Sequence, residues 1–299
     1  MTNTFTLPGG IYPPLPTFFD AHDELDLATF RRHIHNLSET GIAGYVVMGS
    51  NGEAVHLTSD ERTQLIEAAR NATSETFPIL AGCGEQSTRT TIANCHLAAR
   101  AGASAALVLP PFYFKSRMDS RALLAHYRGI ADASPLPIVI YNMPGNTAGL
   151  DLDVALISEL AEHANIIGVK DSSGNMAKMA QIVDKAPGHF RVFAGSAGYL
   201  LPALTVGAVG AVAALANIFP REVCQLQTLF NAGQLEEARR LQARLAPANT
   251  AVTTTYNVPG LKAALELTAG YGGRPRSPLQ PLTESERNHL AQILQIMTV

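Results

Sequence analysis

Short apolar runs alternate with amphipathic stretches through the first 216 residues of the chain. Each run ends in a turn of Gly, Ser, Asn or Pro, which is the pattern of a buried strand. The stretches between them carry apolar residues three and four positions apart, and so predict helices. The eight predicted strands are residues 10–18, 44–50, 78–83, 105–111, 137–143, 166–170, 192–196 and 209–216.

Strands that alternate with helices pair in parallel through right-handed crossovers. Eight such units predict an α/β fold, a closed (β/α)₈ barrel. An open, doubly wound sheet is the alternative. The segment 82–85 (GCGE) argues against that alternative, because it lacks the third glycine of a dinucleotide-binding fingerprint.

The alternation stops after Asn217, and only helical patterns follow. The predicted helices are residues 220–232, 234–245, 258–269 and 283–297. Residues 270–281, with three Gly and three Pro, form a loop between the last two. We therefore predict a catalytic barrel over residues 1–219 and a C-terminal helical segment over residues 220–299.

Composition narrows the function. The net charge is −3 and no basic tract is present, which argues against nucleic-acid binding. No apolar stretch is long enough to span a bilayer, and residues 1–10 do not resemble a signal peptide. Three widely spaced cysteines, at positions 83, 95 and 224, indicate neither a disulfide framework nor a zinc site. These features predict a cytoplasmic protein without a metal.

Lys170 is the most informative single residue, because it ends the apolar run 166–170. Burying an ammonium is costly, whereas a buried neutral amine is a nucleophile that forms Schiff bases with carbonyl substrates. The alternative is an ordinary lysine whose side chain extends to solvent from a strand end.

Other polar groups stand at the ends of the predicted strands, where a barrel builds its active site. Ser50 and Asn51 lie in a glycine-rich turn that suits a small carboxylate. Tyr141 follows the fifth run and could relay protons. With Lys170, these residues form a minimal set for Schiff-base chemistry on a 2-oxo acid. Each of them alone also has a plain structural explanation.

Four segments together carry a family resemblance. Their order and spacing resemble the dihydrodipicolinate synthase/N-acetylneuraminate lyase family over nearly the whole chain. They are residues 49–53 (GSNGE), 141–144 (YNMP), 168–172 (GVKDS) and 194–196 (AGS). The resemblance implies pyruvate-dependent class I aldolases on a (β/α)₈ barrel, which need no metal or other cofactor and usually form homotetramers, as dimers of dimers.

The resemblance also implies roles. Lys170 corresponds to the Schiff-base lysine and Tyr141 to the proton-relay phenol. Ser50 and Asn51 correspond to residues that hold the pyruvate carboxylate and assist the proton relay. Tyr113 corresponds to a tyrosine that reaches the neighbouring subunit's site. Gly195 and Ser196 correspond to residues that line the pocket for the rest of the substrate.

Departures from the pattern indicate which member this is. Asn146 stands where dihydrodipicolinate synthases carry an arginine, and Ala197 and Gly198 replace the acidic groups of sialic acid lyases. The chain most resembles 4-hydroxy-2-oxoglutarate aldolases, which cleave their substrate to pyruvate and glyoxylate. Ser196 and Asn146 are then candidates to bind the second carboxylate. The synthase and 2-keto-3-deoxy sugar acid aldolases remain alternatives.

Three other classes are weaker alternatives. A phosphate-binding barrel would use residues 195–198, after the seventh strand. A metal-dependent barrel would use Glu53, Glu85 and Asp171, although no His-rich cluster accompanies them. A non-catalytic sugar-acid sensor would have no use for both Lys170 and Tyr141.

Overall fold

The computed structural model describes residues 5–295 of the chain. Eight short parallel strands form one sheet. The strands are β1 Gly10–Tyr12, β2 Tyr45–Val47, β3 Ile79–Gly82, β4 Ala105–Val108, β5 Ile138–Asn142, β6 Ile166–Asp171, β7 Arg191–Ala194 and β8 Gly210–Val212. From β2 to β8 each strand pairs with its neighbours in sequence, and β8 pairs with β1.

The sheet closes between β1 and β2 through bonds just beyond the ends of the regular ladder. Pro14 and Val46 form a parallel bridge. The amide of Leu15 donates to the carbonyl of Val46 at 2.8 Å, and the amide of Val46 donates to that of Pro13 at 3.0 Å. The predicted (β/α)₈ barrel is confirmed, and the open sheet is excluded.

Eight helices follow the eight strands, and three more complete the described chain. The first eight are α1 Leu27–Leu37, α2 Ser59–Asn71, α3 Thr88–Arg100, α4 Ser120–Ala133, α5 Val154–Ala161, α6 Met176–Lys185, α7 Leu200–Thr205 and α8 Pro220–Asn231. The last three are α9 Leu235–Thr250, α10 Asn257–Ala269 and α11 Glu284–Gln295. Residues 296 and 297 of the last predicted helix lie outside the described residues.

Seven of the eight strands are shorter than the apolar runs that predict them, whereas β6 is one residue longer. The run 209–216 forms only β8, and a helical turn, Ala214–Asn217, follows it. That turn is buried. Hydrophobicity therefore marks burial beneath the C-terminal segment here, rather than strand geometry.

The C-terminal segment packs across the open end of the barrel. Helix α9 contacts the turn after β7, and α10 contacts the turn after β2. Helix α9 continues past Pro247 into a π-helical stretch, Ala251–Thr255. Helix α8 contacts both β1 and α9. The predicted boundary between residues 219 and 220 stays a prediction.

Alternation along the strands separates an inner from an outer core. On β5, Val139 and Tyr141 belong to the cluster inside the barrel, whereas Ile138 and Ile140 belong to the cluster between sheet and helices. On β6, Val169 packs outward. Successive side chains point to opposite faces, so Lys170 points inward and Asp171 outward.

Candidate active site

Lys170 and Tyr141 are direct neighbours on adjacent strands, since the register of β5 and β6 places Tyr141 opposite Lys170. Both side chains are buried, Lys170 with 3% of its surface exposed. The Lys170 Nζ lies 3.7 Å from the centre of the Tyr141 ring. A lysine amine is thus held inside the barrel against a phenol, as a nucleophile and its proton partner require.

The Tyr141 hydroxyl connects this pair to the turn after β2. It lies 3.3 Å from Ser50 Oγ. Burial by itself would raise the pKa of Tyr141, but the Lys170 charge and the polar groups of Ser50 and Ser172 outweigh burial and lower it. A lowered pKa makes the phenol easier to deprotonate, so that it can give up its proton and take one back, which suits a relay between substrate and solvent.

Ser50 and Asn51 lie in a helical turn, Ser50–Gly52, directly after β2. Both residues are half-buried. The first amides of such a turn have no carbonyl acceptor within it, and so can bind an anion. The Asn51 side chain makes no hydrogen bond to another residue of the described chain.

A cavity of about 500 Å³ opens beside Tyr141. Ser50 and Asn146 also line it, and Asn146 is exposed. The cavity is also lined by Arg62 and Glu85, which form an ion pair at 2.8 Å. The structure therefore brings three predicted site residues to one cavity: Ser50, Tyr141 and Asn146.

Ser196 is partly committed to the protein itself. Its Oγ donates to Asn249 Oδ1 of α9 at 3.1 Å and accepts from the amide of Gly198 at 3.1 Å. The neighbouring Gly195 is required by packing, because a Cβ there would lie 1.9 Å from Ser172 Oγ. These residues shape the wall of the site on the side of α9.

Ser172, the last residue of the 168–172 motif, also belongs to the site, although the motif alone gives it no role. Its Oγ is buried and makes no well-aligned hydrogen bond within residues 5–295, although the Tyr141 hydroxyl lies close enough for Ser172 to lower the pKa of that phenol. A buried, unsatisfied hydroxyl beside the relay phenol is a ready partner for a substrate oxygen. In the sequence, the place of Ser172 two positions after Lys170 indicates that it belongs to the site.

Tyr113 does not reach the site of its own chain. It is 77% exposed, and the adjacent Phe114 is 67% exposed. Gln86 Oε1 accepts hydrogen bonds from the amides of Phe112 and Tyr113, both at 2.9 Å, and so holds this loop outward. The predicted role of Tyr113 in a neighbouring subunit stays a prediction.

A partly buried ionic cluster lies next to the Ser50–Gly52 turn and supports it; we call it the turn cluster. Its members are Glu53, His56, Glu61, Lys262 and Arg276. Glu53 is buried next to the turn, and its Oε1 lies 2.6 Å from the Nζ of Lys262 on α10. Glu53 Oε2 accepts a hydrogen bond from the amide of Arg276 at 2.9 Å.

The guanidinium of Arg276 completes this cluster. It donates to both carboxylate oxygens of Glu61, at 2.6 and 3.0 Å, and to the carbonyl of His56 at 2.9 Å. Burial lowers the pKa of Lys262, and the charge of Glu53 opposes that shift. Glu53 therefore serves as an internal ion-pair partner. Among residues 5–295 no group of three His, Cys, Asp or Glu side chains could hold a metal ion.

A lysine amine, a phenol and a polar turn at the C-terminal ends of parallel barrel strands are typical of lyases that work through a lysine imine. The model of the dihydrodipicolinate synthetase family matches residues 7–297. The chain therefore belongs to this family, as its sequence motifs predict.

Relatives support the same assignment. A probable mitochondrial 4-hydroxy-2-oxoglutarate aldolase of Emericella nidulans is 44% identical over 93% of this chain and 91% of its own length. An L-threo-3-deoxy-hexylosonate aldolase of Hypocrea jecorina is 39% identical over 94% of this chain and 93% of its own. These relatives confirm the prediction of an aldolase of this family.

A solved structure confirms the fold independently. A prophage protein of E. coli K12 from the dihydrodipicolinic acid synthase family, determined in complex with pyruvate, superposes with a TM-score of 0.90 at 30% identity. The match covers 99% of both chains. No helix among residues 5–295 has the length and apolar character needed to cross a membrane.

Proposed function

We propose that this protein reversibly cleaves 4-hydroxy-2-oxoglutarate to pyruvate and glyoxylate through a Schiff base on Lys170. The observation that carries the proposal is the buried Lys170 amine against the Tyr141 ring, with Ser50 at the Tyr141 hydroxyl. The 44% identity to a probable 4-hydroxy-2-oxoglutarate aldolase supports this substrate.

The reaction begins when the Lys170 amine attacks the C2 ketone. Tyr141 gives its proton to the departing hydroxyl, so that water leaves and a protonated imine and a Tyr141 phenolate remain. The phenolate, with Ser50 as its hydrogen-bond partner, then accepts the proton of the C4 hydroxyl. The C3–C4 bond then breaks, its electron pair moves toward the imine to form an enamine, and glyoxylate leaves. Protonation of C3 and hydrolysis release pyruvate and free Lys170. Tyr141 has the position and the lowered pKa that these transfers need.

The turn at Ser50 and Asn51 would hold the C1 carboxylate beside the imine. Asn146, which lines the cavity, and the buried Ser172 hydroxyl are the groups available to the second carboxylate. Ser196 contributes less directly, because Asn249 and Gly198 already occupy its hydroxyl.

The chemistry is tested by borohydride reduction in the presence of pyruvate, followed by peptide mass spectrometry. We expect a stable adduct on Lys170 that is absent in Lys170→Ala. Lys185→Ala, at an exposed lysine in the last turn of α6, is the matched control and should keep the adduct. An unmodified Lys170 in the wild-type protein would contradict the proposal.

A second candidate substrate is a 3-deoxy-2-oxo hexonate, because the Hypocrea jecorina relative is named for one. Both substrates share the bond that breaks and differ only in the aldehyde released. Comparison of kcat/KM for the two, and for condensation of pyruvate with aspartate semialdehyde, decides between them. A higher kcat/KM for the 3-deoxy-2-oxo hexonate, or for the condensation with aspartate semialdehyde, would contradict glyoxylate as the product.

We also propose that the enzyme is a cytoplasmic homotetramer. The exposed side chains of Val55, Tyr113 and Phe114 support subunit contact, since large exposed apolar side chains in one region favour an interface. Sedimentation velocity should give a tetramer, and Tyr113→Ala should weaken it. A wild-type monomer at micromolar concentration would contradict this assembly.

A further inference from the structure

A buried ammonium that the proposed reaction does not use lies behind the catalytic pair. Lys178 is on α6, on the face that also buries Met179 and Ile182. Its Nζ lies 2.5 Å from Asp151 Oδ1, 3.1 Å from Asp171 Oδ2 and 3.4 Å from the carbonyl of Leu152. A lysine buried on two carboxylates is held firmly, because its burial is tolerated only while it is paired.

One carboxylate belongs to the residue that directly follows Lys170, and the other is hydrogen-bonded to the residue that directly follows Tyr141. Asp171 follows Lys170 directly, is fully buried, and accepts a hydrogen bond from the amide of Ser173 at 2.6 Å. Asp151 accepts a hydrogen bond from the side chain of Asn142 at 2.7 Å. Asn142 follows Tyr141 directly.

These four residues form what we call the strand-end cluster: Asn142, Asp151, Asp171 and Lys178. Asn142 and Asp171 are register partners on β5 and β6, one position beyond the partners Tyr141 and Lys170. Strand alternation turns the first two side chains outward, toward α6, and the catalytic two inward. Lys178 thus links the ends of both catalytic strands on the outer side of the sheet.

The backbone around this cluster has several further links. The amide of Ser172 donates to the carbonyl of Asn142 at 2.8 Å, and the amide of Gly195 donates to that of Asp171 at 2.8 Å. The Tyr199 hydroxyl donates to the same Asp171 carbonyl at 3.0 Å. The backbone directly after Lys170 is thus fixed by hydrogen bonds to Asn142, Gly195 and Tyr199.

We propose that Lys178 is a positioning residue for the aldolase reaction: it keeps the ends of β5 and β6 together, so that the Lys170 amine and the Tyr141 hydroxyl hold their reactive spacing. This inference rests on the proposed function. It predicts a loss in kcat that is separate from any loss of stability, because displacement of catalytic groups by about 1 Å can cost on the order of 100-fold in rate.

The test compares Lys178→Met, Lys178→Arg and the double variant Lys178→Met/Asp171→Asn with Lys185→Met. Lys178→Met leaves Asp171 buried without its partner and so lowers both Tm and kcat. The double variant removes the unpaired charge, and we expect it to recover Tm but not kcat. We expect kcat to stay reduced by ~10- to 100-fold with the KM changed less than about threefold, the signature of misplaced catalytic groups.

Lys178→Arg keeps the charge and the reach, so it should retain most of kcat, and Lys185→Met should match the wild type. Recovery of both Tm and kcat in the double variant, or a wild-type kcat in Lys178→Met, would show a purely structural role and overturn the inference. Borohydride trapping with pyruvate is run on each variant. Trapping in the wild type with kcat unaffected in Lys178→Met defeats this inference alone, whereas no wild-type adduct defeats the proposed function and the inference together.

Discussion

The two ionic clusters behind the site differ in where their members come from. All members of the strand-end cluster lie between residues 142 and 178, on two adjacent strands, the loop before α5, and α6. The turn cluster joins Glu53 to Lys262 and Arg276, more than 200 positions away in the chain. The catalytic pair is therefore supported within the barrel, whereas the turn at Ser50 depends on the C-terminal segment.

The barrel and the C-terminal segment therefore support different parts of the site. The barrel places the amine and the phenol, and α10 with the 270–281 loop holds the turn that would receive the carboxylate. Damage to the first cluster should act mainly on kcat, and damage to the second on substrate binding and on stability.

Tyr141→Phe should give the largest effect, since it removes the proton relay while leaving the Lys170 amine in place. We expect kcat to fall by ~10²- to 10⁴-fold. Steady-state kinetics measures this loss. Tyr256→Phe, which removes an exposed hydroxyl bonded to His289, is the control and should leave kcat unchanged. A fall of less than tenfold in Tyr141→Phe would remove Tyr141 from the mechanism.

Lys262→Met should distinguish the kinetic effect of the turn cluster from that of the strand-end cluster. It leaves the Glu53 carboxylate buried and without its ion-pair partner, which costs roughly 3–5 kcal/mol in the free energy of unfolding. We expect the KM for the 2-oxo acid to rise several-fold while kcat changes less, the reverse of Lys178→Met.

The matched double variant Lys262→Met/Glu53→Gln removes the unpaired charge, and its urea-unfolding midpoint should recover in part. If Lys262→Met instead lowers kcat at unchanged KM, the turn cluster has the same role as the strand-end cluster, and the contrast between them is lost.

His33, which contacts Tyr271 of the same C-terminal segment, should give a smaller, pH-dependent effect on the free energy of unfolding. It is buried, and its ring nitrogens lie 2.9 Å from the Tyr271 hydroxyl and 3.0 Å from Asn217 Oδ1. Burial lowers the pKa of His33 to about 4. The unfolded chain, with a histidine pKa near 6.5, binds more protons between these values, so stability falls as the pH drops through this window.

The expected loss from His33 between pH 7.5 and 5 is about 2 kcal/mol. Urea unfolding at pH 7.5 and 5 measures it. His33→Gln should be less stable at pH 7.5 but should lose less on acidification, and His22→Gln, at an exposed histidine, should follow the wild type. An equal acid loss in His33→Gln would rule out His33 as the titrating group. Burial also lowers the pKa of His126 to about 4, so His126 adds a similar loss of stability on acidification in every variant.

Local pattern was sufficient to predict the barrel, its eight strands and the inward-facing groups at their ends. Burial on both sides of a parallel sheet leaves continuous apolar runs, and Lys170 is conspicuous because it ends one. The register that sets Tyr141 opposite Lys170 follows once two such strands are neighbours. The residues that carry the chemistry of the site thus lie largely close to the strand ends.

Only the tertiary structure decided which ion pairs and hydrogen bonds support those residues. Lys178 and Lys262 read as ordinary helix positions, and Glu53 as one acid near a turn, because an ion pair depends on distances between elements that no local period records. Ser196 was expected to face substrate, yet Asn249, fifty-three positions later, occupies its hydroxyl. Hydrophobic periodicity selects elements and their faces, whereas the pairing of buried charges is settled only when α6, α9 and α10 pack against the barrel.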